Sequence, residues 1–187
     1  AARLATTLES LTDGLVAVVK RDCPTCTLVE PVLRGLGAAV WCQDDPDWFD
    51  GDDTGLELSY RLDIETVPTL LRVEHGRETG RVVGWSRAQW EDLTGATGLG
   101  PGLPGHRPGC GSLSVDPSRV DELEARYGDG LVSRRVALAD LEDEHEALFD
   151  RGWTDGLPVV PPTPERVLRM LRGTTRDPRE VVAVVPP

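Results

Sequence analysis

Two cysteines three residues apart, Cys23 and Cys26, enclose Pro24-Thr25 and follow the apolar run Leu15-Val16-Ala17-Val18-Val19. The thiolate is the reactive form of cysteine, and a thiol becomes reactive where its charge is stabilised. Pro24 is suited to the first position of a helix, which puts Cys23 at the helix N-terminus. There the first N–H groups have no partner within the helix and the dipole favours negative charge. Lys20 and Arg21 add positive charge nearby and Asp22 opposes it. Cys23 is the expected attacking thiol, and Cys26, one turn along, the expected resolving thiol. A structural pair or half of a zinc site is the alternative. Zinc would want two further ligands at similar spacing, and no second Cys-x-x-Cys or His-x-x-x-His occurs, so no metal site is expected.

The other candidates are more scattered. Cys110 lies in Arg107-Pro108-Gly109-Cys110-Gly111-Ser112, where flanking glycines leave room around the sulfur. It is either a relay thiol whose disulfide or oxidised sulfur the pair reduces, or an incidental loop cysteine. Cys42, beside Trp41, reads as a buried apolar cysteine. Six Asp in the ten residues 44–53 lack the EF-hand order, since Phe49 stands where a ligand belongs, and read as a solvated acidic loop. His75, His106 and His145 form no ligand pattern.

The elements around the pair alternate. A short helix over Leu4–Leu11 precedes strand Leu15–Val19, whose unbroken apolar run marks a strand covered on both faces. Helix Pro24–Leu36, strand Ala38–Cys42, a short helix over Leu56–Leu62 and strands Thr69–Val73 and Arg81–Trp85 follow. A last helix, opened by the capping box Ser86-Arg87-Ala88-Gln89, runs to Leu93. This order predicts an α/β fold, a mixed sheet covered by helices. From Ala96 to Ser112, nine of 17 residues are Gly or Pro, which reads as a linker. The expected organisation is therefore a domain over 1–96, a linker over 97–114 and a mainly helical α+β region over 115–187. In that last region helices are expected from Asp116 to Tyr127, Ala137 to Phe149 and Thr163 to Gly173. A final strand, Val181–Val185, stops at Pro187 without a partner, so a truncated region is expected.

Residues 1–96 resemble thioredoxin. Cys23-Pro24-Thr25-Cys26 follows a central strand, and Pro31 matches the proline that kinks the active-site helix. Thr66-Val67-Pro68-Thr69 matches the segment that holds the cis-proline, and Gly76 and Gly84 match glycines of the closing hairpin. The resemblance implies a thioredoxin fold, a cis Val67–Pro68 bond and a Val67 backbone that docks the extended peptide of a substrate disulfide. It also implies a redox-active disulfide with no organic cofactor. The sequence departs from the family at three places. Pro24-Thr25 replaces Gly-Pro, and Asp22 replaces the Trp before the first cysteine. Ala17 replaces the buried Asp thought to assist the resolving cysteine. Glu30 is a candidate substitute for that carboxylate, or an ordinary surface residue. The segment Trp153-Thr154-Asp155-Gly156-Leu157-Pro158-Val159-Val160-Pro161-Pro162-Thr163, with its surroundings over 115–187, resembles uncharacterised bacterial proteins related to a cysteine/selenocysteine-motif family.

Composition narrows the partners. The 187 residues carry 20 basic and 32 acidic side chains, net charge −12, and Lys20 is the only lysine. That balance argues against nucleic acid and against an anionic membrane surface. No apolar run is long enough for a membrane span and no leader is visible, so a cytoplasmic location is expected. The first residue is Ala1 rather than Met, so a processed, trimmed or fragmentary chain is expected. The expected function is a dithiol–disulfide oxidoreductase acting on its own C-terminal region or a dedicated protein partner, fed by an unknown electron donor. A non-catalytic docking module and a metal-binding module are the alternatives.

Overall fold

The structure is a computed structural model that describes residues 11, 13–128, 130, 131, 136–139, 142–177 and 180–184. The expected helix over Leu4–Leu11 lies outside the described residues except for Leu11. The chain divides into two units, Ala1–Leu123 and Glu124–Pro187.

The first unit is built on strand β1 (Gly14–Val19), whose Val16, Ala17, Val18 and Val19 are all buried. Helix α1 (Pro24–Leu36) follows and stops at Gly37, which adopts φ 63° and donates its N–H to the Arg34 carbonyl. Pro31 sits inside α1 and removes the N–H that would bond the Thr27 carbonyl. Val29, Val32 and Leu33 form the buried face of this helix. Strand β2 (Ala39–Cys42) pairs parallel to β1 and β3 (Gly51–Asp52) parallel to β2. After helix α2 (Glu57–Arg61) and the short β4 (Thr66–Val67), β5 (Thr69–Glu74) runs antiparallel to β1. It turns through His75 and Gly76, both at positive φ, into β6 (Arg77–Val83). The sheet order is β3-β2-β1-β5-β6. This is a mixed α/β unit with a central mixed sheet and helices, consistent with a thioredoxin-like fold.

The expected strand Arg81–Trp85 is interrupted. Gly84, at φ 72°, donates its N–H to the Pro68 carbonyl at 2.7 Å, and the chain leaves the sheet as β7 (Trp85–Ser86). Helix α3 (Arg87–Thr94) starts where expected, but the Ser86 side chain makes no capping bond. Tertiary contact holds that helix end instead: Arg87 N–H donates to the Gly105 carbonyl. Trp85 and Trp90 meet edge to face at 4.9 Å and are both fully buried.

The Gly/Pro-rich segment departs most from expectation, because it is not a linker between the units. Arg87 donates to the carbonyls of Leu99, Gly100 and Leu103, and the Trp85 indole to that of Pro104. Strand β8 (His106–Arg107) pairs with β7, and β9 (Cys110–Gly111) pairs with β4. A short 3₁₀ turn, Leu113–Val115, follows. A stretch poor in helix and strand formers still orders when neighbouring side chains satisfy its carbonyls.

Gln43 anchors the end of this segment and is only 2% exposed. Its amide donates to Ser59 Oγ at 2.7 Å and Ser112 Oγ at 2.6 Å, and its oxygen accepts from Leu113 N–H at 3.0 Å. Gln43→Leu leaves two buried hydroxyls and the half-buried Leu113 N–H without this partner, at about 1–3 kcal/mol for each unsatisfied one. A loss of roughly 2–4 kcal/mol is expected in denaturant unfolding; an unchanged midpoint would show that the network contributes nothing.

Buried Asp53 accepts from Leu58 N–H, Ser59 N–H and the Ser59 hydroxyl. Burial raises its carboxyl to about 6 despite those bonds. Between the ordinary carboxyl value of 3.8 and about 6, the folded chain therefore holds a proton that the unfolded chain has lost. Stability falls as pH rises through that window, by on the order of 3 kcal/mol in all, about two units at roughly 1.4 kcal/mol each. Thermal melts of Asp53→Asn should lack this part of the pH dependence; an unaltered slope would remove Asp53 as its source.

In the second unit, the helix α4 (Val120–Tyr127), which the division crosses, ends at Gly128 as expected. Its start is later than expected because Asp116 turns back to accept from Ser118 N–H. Helix α5 (Glu144–Asp150) is shorter than the expected Ala137–Phe149, because Asp143 caps it by accepting from His145 and Glu146 N–H. Residues 136–139 are not helical, and 140 and 141 lie outside the described residues. Helix α6 (Pro164–Leu171) follows Thr163. Val181–Val184 form no strand, and Val185 lies outside the described residues. No described helix is long and apolar enough to cross a membrane.

Candidate active site: the cysteine pair and the strand beside it

Cys23 is the residue just before α1, with extended backbone (φ −141°, ψ 113°), and Pro24 begins the helix. Cys26 is fully buried one turn in and accepts from Lys20 N–H at 3.4 Å. The approach to Cys23 is held by Asp44, whose carboxylate accepts from Arg21 N–H at 2.6 Å and Asp22 N–H at 2.9 Å. The parallel register pairs Val19 with Cys42, so two residues further along each strand Asp44 meets Arg21. The sequence reading placed Asp44 in a solvated acidic loop and missed this. The parallel pairing of the two strands was the signal for it.

Cys23 is held low, at about 5. The first cause is the hydrogen bond from the Cys26 thiol. Burial opposes it, and the Cys110 thiol and the N–H groups of Cys26 and Thr25 assist it. The helix N-terminus therefore acts as the sequence suggests, but behind a sulfur–sulfur hydrogen bond. Burial pushes Cys26 far upward, and the bond that it gives Cys23 adds to this. The arrangement favours the thiolate at Cys23 and the protonated thiol at Cys26.

The Val67–Pro68 peptide is cis, and the Val67 carbonyl lies 3.6 Å from Cys23 Sγ. Val67 also pairs in antiparallel register with Cys110, and Cys110 Sγ stands 2.8 Å from Cys23 Sγ. The segment carrying Cys110 is held on both sides. Thr25 Oγ1 donates to the Pro108 carbonyl at 2.7 Å, Lys20 Nζ to the Gly111 carbonyl at 3.1 Å, and Ser112 N–H to the Glu65 carbonyl at 2.9 Å. A side chain at Gly109 would stand 2.5 Å from the Val67 carbonyl oxygen, so only glycine permits this approach.

The expected site residues separate into two groups. Cys23, Cys26, Thr25, Lys20, Val67, Pro68 and Cys110 meet, with Pro24 setting the helix start. Lys20, expected to support the Cys23 thiolate, instead bonds the strand beside it, and its charge lowers Cys110, whose thiol burial raises overall. Glu30 is ion-paired with Arg34 at 3.0 Å on the helix surface, which fits an ordinary surface glutamate. Pro31 is exposed, and Ala17 is buried where a carboxylate was expected to be missing. Cys42 is buried as expected, its sulfur 3.3 Å from Asp44. Among the described residues, no three His, Cys, Asp or Glu side chains are arranged to hold a metal ion.

No protein-family model matches the chain, and no curated protein matches it. Among solved structures it is similar to a reduced thioredoxin pre-protein of Schistosoma mansoni. The two are 26% identical over 49% of this chain and 87% of that one, with a TM-score of 0.35.

Proposed function

We propose that the first unit is a thioredoxin-like dithiol–disulfide oxidoreductase in which Cys23 attacks and Cys26 resolves. Its substrate is a disulfide on its own chain or on a dedicated protein partner, and its electrons come from a donor thiol. The two sulfurs carry the electron pair themselves, so the reaction calls for no organic cofactor. The observation that carries this reading is Cys23 at the start of α1 with the fully buried Cys26 one turn in, a placement that lowers the first thiol and raises the second. A thiolate attacks a disulfide, and a neighbouring thiol closes the intramolecular bond that frees the product. Pro68 and Val67 orient what docks beside Cys23.

The test is equilibration of the full chain in glutathione buffers of varied ratio, with disulfides mapped by mass. One two-electron transition forming Cys23–Cys26 is expected, absent in Cys23→Ser and Cys26→Ser. Free thiols at both positions under the most oxidising ratio would end this reading. A non-catalytic docking module is the second reading, favoured by one observation: Cys23 is only 1% exposed.

A further inference from the structure

That occlusion has a specific cause. The strand paired with Val67 is part of the same chain and presents a sulfur to Cys23 at 2.8 Å. We propose that Cys110 is the sulfur through which this site exchanges with solvent, and that the substrate Cys23 attacks is a mixed disulfide between Cys110 and a small thiol. This rests on the oxidoreductase reading above and names its substrate.

Three observations carry it. First, the backbone positions beside Thr66 and Val67 are filled by Gly111 and Cys110, so an external peptide has no free ladder to join while this strand is in place. Second, of the three sulfurs, Cys23 and Cys26 are buried and Cys110 is partly exposed. Third, the strand is fastened by Thr25, Lys20 and Glu65 and fitted by Gly109, so the sulfur contact is built into the fold. A disulfide needs its sulfurs about 2.05 Å apart, a movement of less than about 1 Å from the observed contact.

The chemistry balances with a low-molecular-weight disulfide as oxidant. The Cys110 thiol attacks it, gives its proton to the small thiolate that it displaces, and becomes a mixed disulfide. The Cys23 thiolate attacks the Cys110 sulfur, the second small thiolate leaves, and a Cys23–Cys110 bond forms. Cys26 attacks Cys23 and its proton passes to the departing Cys110 sulfur, so the pair ends as Cys23–Cys26 and Cys110 is again a thiol. One small disulfide has become a small thiol and a small thiolate, which takes a proton from water, and the Cys23 thiolate and Cys26 thiol have become one disulfide. In the reverse direction a small thiolate attacks Cys110 and expels Cys23, whose stabilised thiolate is the better leaving group.

Full-length Cys26→Ser, reduced and then given glutathione disulfide, is expected to accumulate a Cys23–Cys110 link with both glutathiones released. Cys110→Ser is expected to form Cys23–Cys26 about tenfold or more slowly than the parent chain, since the preset contact is gone. Glutathione attached to Cys23 in Cys26→Ser, with Cys110 free and with parent and Cys110→Ser chains oxidised at equal rates, would overturn this proposal. It would leave the oxidoreductase reading standing. Failure of the parent chain to form Cys23–Cys26 at any glutathione ratio would overturn both.

Discussion

A single thiolate is expected to form in the reduced chain with a midpoint near pH 5, and no second one through the ordinary thiol range. Cys23 is held at about 5, while burial raises Cys26, Cys42 and Cys110. Ultraviolet absorbance of the thiolate, followed against pH, measures this without requiring access to the buried sulfur. Cys23→Ser should remove the step. Cys26→Ala should raise its midpoint by about one unit or more, because the Cys26 thiol is the first cause of the lowering. A step that survives in Cys23→Ser, or a first midpoint above pH 8, would contradict the site as built here. The stability consequence has a definite sign. A thiol lowered on folding stabilises the folded, reduced chain fully above the unfolded thiol value, and that contribution is lost as pH falls through about 5. The disulfide form has no such thiolate, so stabilising it favours the reduced pair and makes the disulfide more oxidising.

Gly109→Val is expected to uncover Cys23. Its Cβ would stand 2.5 Å from both the Val67 carbonyl oxygen and Thr66 Cγ2. The oxygen belongs to the backbone of a paired strand and cannot swing aside as a side-chain tip would. Overpacking of this kind costs about 1–3 kcal/mol. Lifting the 108–112 strand relieves it, so the open state gains population by on the order of 100-fold if about 3 kcal/mol is involved. The rate at which a small thiol reagent modifies Cys23 should rise by a similar factor, with Cys42 as the buried internal control. A Cys23 rate equal to the parent's would mean that the strand does not gate access. Thr25→Val, which removes only the bond to the Pro108 carbonyl, should act in the same direction and more weakly.

Much of this was legible in the residues. Leu15–Val19 announces a central strand because an unbroken apolar run marks a strand covered on both faces. Pro24 and Gly37 bracket α1 through their backbone preferences, and the pair's place at its start follows. Other assignments failed where local preference was not what decided the structure. Ser86 has the side chain for a capping bond, yet Gly105 supplies the contact at that helix end. Glu30 is one turn from Cys26, yet Arg34 on the same helix face takes its carboxylate. Lys20 is three residues from Cys23, yet its ammonium reaches Gly111.

The sequence by itself determined that a cysteine stands at a helix N-terminus beside a buried strand, because chain propensity and a short loop are local properties. Only the tertiary structure decided which sulfur that thiol faces. Cys110 is 87 residues from Cys23, in a segment whose glycines and prolines carry no strand signal. That segment becomes a strand because Val67, Arg87, Gln43, Thr25 and Lys20 bond its backbone or its neighbouring side chains. Such bonds exist only once the sheet has brought those residues together.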